Sequence, residues 1–169
     1  MTTAELLADA LSRIREVVHE TAAGLTPDEL AYRPRPSANS IGWLIWHLTR
    51  VQDDHVSEVA GAEQAWTAQR WVERFGLPFD AAATGWGHDS EEVGKVQLDS
   101  ADLLTGYYDA VHERSIGFVR TLADADLDRI VDERWDPPVT LGVRLVSVID
   151  DDAQHAGQAA YVRGLITGR

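Results

Sequence analysis

A chain of 169 residues, 44% of them apolar and 25% charged, has ordinary globular composition and enough length for one domain with a sizeable core. Its 15 Lys+Arg against 28 Asp+Glu give a net charge of -13, which repels a phosphate backbone and argues against a nucleic-acid partner. With no cysteine, a disulfide framework, an iron–sulfur site, a cysteine-ligated zinc and a protein thiol nucleophile are excluded, so any thiol chemistry would use a substrate's sulfur.

The opening residues Met1 to Glu5 lack the basic and apolar regions of a secretory signal, and neither end carries a lipidation motif. The longest apolar stretch, Ile41 to Leu48, falls far below the roughly 20 residues of a membrane span, so a soluble cytoplasmic protein is expected. Thr2 and Glu5 form a capping box, after which Leu6, Leu7, Ala10, Ile14, Val17 and Val18 recur at helical spacing up to Gly24, predicting a first long helix over about 3–23. Thr26-Pro27 starts a second element that Pro34 and Pro36 end within a turn or two, so it reads as a connector. Asn39 or Ser40 caps a second long helix over roughly 41–60, carrying Ile41, Leu44, Leu48, Val51 and Val59. Residues 61–98 read as a long, partly helical crossover, with a short helix from Ala65 to Arg74 and then Gly76, Pro78, Gly85 and Gly87. Asp99 or Ser100 caps a third long helix with Leu103, Leu104, Tyr107, Val111, Ile116 and Val119. Pro137-Pro138 breaks the chain, and Thr140 caps a fourth long helix running to Gly164 or beyond. With no alternating strand pattern and no internal repeat, the expected fold is all-α: one domain over 1–169, a four-helix bundle with a long crossover between its second and third helices.

On a helical wheel His155 falls among Leu141, Val148, Ala159, Val162 and Ile166, at the centre of the expected buried face, with Asp151 one turn earlier on the same stripe and Asp152 at its other side. A buried carboxylate needs a proton, a basic partner or a metal ion. The second long helix offers His47 on the flank of its apolar stripe. Two histidines and a carboxylate converging from two helices would leave open positions on a metal, the pattern of a catalytic zinc or non-haem iron site. Against this stands the plainer reading of a core imidazole hydrogen-bonded to a neighbour.

Ser40-Ile-Gly-Trp-Leu-Ile-Trp-His47-Leu, together with Asp151-x-x-x-His155-x-Gly157-Gln158, resembles the DinB/YfiT-like superfamily of small bacterial helical-bundle metalloproteins. In that superfamily one histidine of the second helix and two histidines four residues apart on the fourth are ligands, so the resemblance implies His47, Asp151 and His155, with Asp151 standing where many relatives have histidine. Mycothiol-dependent maleylpyruvate isomerases are similar here in using a carboxylate at that position, and Asp152 remains an alternative to Asp151. The implied cofactor is a divalent ion, zinc foremost, with nickel, iron or manganese suited to the same donors. The implied activity is a metal-dependent S-transferase acting on a low-molecular-weight thiol such as mycothiol and a small electrophile. The alternatives are a non-catalytic metal-binding or stress-response bundle, a hydrolase using metal-activated water, or an isomerase. A homodimer through exposed helix faces is compatible with such a bundle.

Around this core, Gln158 is a candidate to hydrogen-bond a ligand or substrate, and Trp86 a candidate pocket wall. Arg163 would meet an acidic substrate or neutralise a helix C-terminus. His55 lies about 12 Å along the axis from His47, too far to share its ion, and reads as a core or second-layer residue. His88, in Gly85-Trp86-Gly87-His88, is expected to be solvated.

Overall fold

The computed structural model describes residues 1–168. Its elements are α1 (Thr3–Ala22), α2 (Pro27–Ala31), α3 (Ile41–Ala60), α4 (Ala65–Ala68), α5 (Trp71–Phe75), α6 (Ser90–Gly94), α7 (Ala101–Val119), a 3-10 turn (Asp124–Asp128), β1 (Ile130–Asp132), β2 (Val139–Thr140) and α8 (Leu141–Thr167). The chain is therefore mostly helical. Each of the four long helices starts where a hydroxyl takes an otherwise orphaned amide: Thr2 from Glu5, Ser40 from Trp43, Ser100 from Asp102 and Thr140 from Val143. α3 stops at Gly61, whose φ of 65° is the left-handed cap that a glycine adopts without strain.

α8 packs against α1 and α3, and α7 packs against the same two helices. Between them Ile41, Leu44, Ile45, Leu48, Leu104, Tyr107, Val111, Ala156 and Ala159 form the main core. Each fully buried Leu or Ile in it contributes about 1.5–3 kcal/mol. No helix among the described residues is long and apolar enough to cross a membrane.

Two local expectations need correction. The single short helix expected over 65–74 is split into α4 and α5 at Arg70, whose φ of 58° puts a non-glycine residue in the left-handed region. The chain also contains an antiparallel pair, β1 with β2, joining Ile130 to Thr140 and Asp132 to Val139 with an irregularity between. Strands of three and two residues are too short for alternation to register in a sequence.

The crossover from α3 to α7 is anchored by buried polar groups. Asp53 accepts the backbone amides of Ala65 and Trp66 at 2.9 and 2.8 Å, capping α4 from outside, and the Tyr107 hydroxyl at 2.8 Å. Arg50, with no exposed surface, donates to Gln64 Oε1, to the Tyr107 oxygen and to the carbonyls of Ala83 and Ala81, with its guanidinium 5.0 Å from the Trp66 ring. A charge at such depth is tolerated because nearly all of its donors are matched. The arrangement brings the stretch Ala81 to His88 against α3, one turn from His47.

Candidate metal centre

His47 projects from α3, and Asp151 and His155 project from α8. Each offers one donor atom, and the three atoms lie within 4.8 Å of one another. His155 Nε2 stands 3.6 Å from Asp151 Oδ1, and the two imidazole centroids are 4.9 Å apart. Two donors on one ion at about 2.1 Å each can be separated by up to about 4.2 Å, so small side-chain rotations would gather this set.

The other ring nitrogens are spoken for. His47 Nδ1 is 2.6 Å from the Thr84 carbonyl, and His155 Nδ1 is 3.3 Å from Gln158 Oε1. Because both partners accept, both Nδ1 atoms carry the proton in the neutral rings and both Nε2 atoms keep a free lone pair, the tautomer a metal requires. Asp151 Oδ2 is buried without a hydrogen-bond partner among the described residues. An orphaned carboxylate oxygen beside two unprotonated ring nitrogens fits a cation better than it fits a closed hydrogen-bond network.

The charges follow from this packing. Burial lowers the pKa of His47, with the Thr84 carbonyl opposing and His155 reinforcing the shift. The Asp151 carboxylate raises the pKa of His155 against a smaller effect of burial. For Asp151 burial alone would raise the pKa, but the contact with His155 and the charges of His155, His47 and His55 outweigh it and leave the carboxyl below its ordinary value. The group is thus an ionised carboxylate flanked by imidazoles.

The walls are set by packing. Trp43 stacks on the His47 ring at 4.5 Å and meets His155 edge-on at 6.2 Å. Gly85 covers the remaining edge: its φ is +93°, and a Cβ there would stand 2.7 Å from His47 Nδ1 and 3.0 Å from the Trp46 ring. A cavity of about 530 Å³ opens beside two of the three donors, lined by His47 and Asp151 at one end and by His55, Asp132, Arg134, Trp135, Arg144 and Ser147 further along, with the exposed Trp86 also in its wall.

The remaining candidates fall as follows. Trp86 is 89% exposed and lines the cavity. Gln158 meets His155 as described. Arg163 donates to the carbonyls of Thr21 and Ala23 at the end of α1, so its role is the structural one. His55 is half-buried in the cavity, beside Arg144. His88 is not solvated as expected: its Nδ1 accepts from the Trp43 indole at 3.3 Å and its ring packs on Phe79 and Trp46.

Asp152 departs most from expectation. It has no exposed surface, while His155 is only half-buried, so the inward centre of α8 lies at Val148, Asp152, Ala156 and Ala159 instead of at His155. The physical reason is that α8 is covered by α1 as well as α3, which widens and rotates its buried sector. Among the described residues both Asp152 oxygens lack partners, and burial, reinforced by the Asp151 charge, pushes the carboxyl well above its usual range. It is not part of the donor group, which contains Asp151. Sequence reasoning also missed Thr84, Gly85 and Arg144; of these, only the Gly85-Trp86-Gly87 pattern carried a signal, that of a backbone needing unusual dihedrals.

Two imidazoles and a carboxylate presented by two helices of a mostly helical protein form a group that could hold a metal ion, at the end of a cavity lined by His47 and Asp151. The chain belongs to the mycothiol-S-transferase family, whose model matches residues 6–168, within the DinB/YfiT-like group. None of the curated proteins compared with it matches. Among solved structures, a conserved protein from Enterococcus faecalis is similar at 35% identity and a TM-score of 0.93, over 100% of this chain and 99% of that one.

Proposed function

We propose that this protein is a cytoplasmic metal-dependent S-transferase, a single four-helix-bundle domain with a crossover, that joins a low-molecular-weight thiol of the mycothiol type to a small electrophile. The observation that carries the reading is the gathering of one donor atom each from His47, Asp151 and His155 within 4.8 Å, at the end of a cavity that His47 and Asp151 line, in a chain without a cysteine of its own. His47, Asp151 and His155 would hold the ion, with zinc favoured by two nitrogens and one oxygen in a site open on one side. Such an ion, when bound, supplies activation of a thiol as thiolate at neutral pH.

The chain's own residues do the rest. Thr84 and Gln158 hold the two rings in their tautomers, and Trp43 keeps the His47 face dry. The cavity leaves room for both reactants next to the donors.

The test is to load purified protein with zinc, supply mycothiol and a haloarene or an epoxide, and follow conjugate by mass spectrometry. Metal-dependent product that disappears in Asp151→Ala is expected. No product across a panel of electrophiles, with the protein fully metal-loaded, would refute the reading.

A further inference from the structure

The far end of the cavity is built from donors. Arg144 lies two helical turns before Asp151 on α8, about 10 Å along the axis. Its side chain is only 14% exposed. Asp132, carried on β1 and itself buried, accepts Arg144 Nη2 at 3.0 Å. Arg144 Nη1 is 3.4 Å from His55 Nδ1, and since a guanidinium can only donate, that nitrogen accepts and His55 presents its Nε2–H instead. The guanidinium has five N–H groups, and these two contacts use two of them; Nε is buried without a partner among the described residues.

The acceptors of the buried Asp132 are already taken, while the partly exposed Asp54 has one oxygen engaged and one open. Asp132 Oδ1 receives the Arg134 amide and Nε at 3.0 and 2.9 Å, and its Oδ2 receives Arg134 Nη2 at 2.8 Å as well as Arg144. Asp54 Oδ1 receives Gln64 at 2.7 Å, and its Oδ2 stands 3.9 Å from His55 Nδ1. What this end of the cavity has left to donate is the spare N–H groups of Arg144 and Arg134 and the His55 Nε2–H, with Trp135 beside them, the Ser147 hydroxyl being given to the Val143 carbonyl at 2.9 Å. That inventory matches an acceptor-rich, planar anion, the group that arginine binds in two-pronged fashion.

We infer that Arg144, held in place by Asp132 and His55, anchors a carboxylate of the substrate while the reacting atom lies at the His47, Asp151 and His155 end, so that the preferred substrate is a small carboxylate-bearing molecule. The net charge of -13 repels free anions at long range, so selection is local. Only the identity of the group at the metal end rests on the transferase reading; the carboxylate subsite does not.

The experiment uses 4-chloro-3-nitrobenzoate and its uncharged 4-chloro-3-nitrobenzamide. In the conjugation the thiolate sulfur bonds to the ring carbon that carried chlorine, chloride leaves with the bonding pair, and the thiol proton passes to water. Binding of each compound to the metal-free protein is measured by calorimetry, and kcat/KM by chloride release from the zinc-loaded protein with a thiol present. The benzoate should be preferred by about tenfold or more in both measurements. The preference should vanish in Arg144→Ala and return in part in Arg144→Lys, with melting temperature and zinc content recorded for each. A second arm compares N-acetylcysteine with its amide as the thiol, which tells whether the carboxylate belongs to the thiol or to the electrophile. Arg144-dependent discrimination in either arm supports the inference, and its absence from both, in folded variants, overturns it. If the benzoate binds through Arg144 but no conjugate forms, the transferase reading fails and the subsite stands.

Discussion

Replacing Gly85 with alanine tests whether the crossover, and not only the helices, sets the metal centre. The added Cβ would lie 2.7 Å from His47 Nδ1 and 3.2 Å from the Trp43 ring, and the first contact is about 0.7 Å short of ordinary van der Waals distance. Trp43 stacks on the ring, so the imidazole has little room to turn. It can yield only by lengthening its 2.6 Å bond to the Thr84 carbonyl, the contact that fixes its tautomer. Loss of such a supporting bond weakens metal binding by about 10- to 100-fold, which is about 1.4–2.7 kcal/mol. An alanine at φ +93° adds backbone strain of about 1–3 kcal/mol to the folded state. Gly87→Ala is the matched control, since its φ is +77° but nothing lies within 4 Å of the new Cβ. Zinc competition against a chromophoric chelator, with thermal melts of the metal-free proteins, separates the two effects. Both variants should melt lower, and only Gly85→Ala should lose zinc affinity. Equal zinc affinity in the parent and Gly85→Ala, or an equal loss in both variants, would refute the argument.

Three further outcomes are expected. Asp151→Ala should abolish stoichiometric zinc by elemental analysis while leaving the melting temperature of the metal-free protein within a few degrees, because the carboxylate it removes has an unpartnered oxygen. Asp53→Ala strips two amides and a tyrosine hydroxyl of their acceptor and leaves Arg50 buried without its carboxylate, so denaturant titration should show a loss of about 3–5 kcal/mol. Asp152 has a folded-state pKa above its unfolded value near 3.9, so it weakens the fold increasingly as pH rises above about 4. Asp152→Asn, being uncharged in both states, should therefore gain on the parent between pH 4 and pH 7 in calorimetric scans of metal-free protein; a pH-independent difference would show that the carboxyl is not protonated in the fold.

The four long helices are legible in the sequence because each begins with a hydroxyl cap and repeats its apolar residues at helical spacing. Spacing puts Asp151 and His155 one turn apart on α8 and His47 on the flank of the α3 stripe, but it leaves Asp152 as an alternative, and the choice of the three as a set comes from the resemblance. What spacing cannot carry is the tertiary contribution. The inward centre of α8 lies at Asp152 because a second helix covers it, and a wheel drawn for one helix knows nothing of its neighbours. The acceptor for His47 is a backbone carbonyl 37 residues away, which no side-chain pattern records. The clamp formed by Arg50, Asp53, Gln64 and Tyr107 joins residues from three parts of the chain, each of which reads locally as an ordinary helical or loop position.

The contact of Thr84 and Gly85 with His47 divides the centre between two kinds of chain. Its donor atoms sit on long, densely packed helices that tolerate little change, whereas the groups that orient one of them sit on an irregular segment held at Arg50, Gly85 and His88 and open to change between those points. Grafting residues 81–88 from a relative onto this scaffold would thus retune ion preference and pocket outline together, with every ligand left in place.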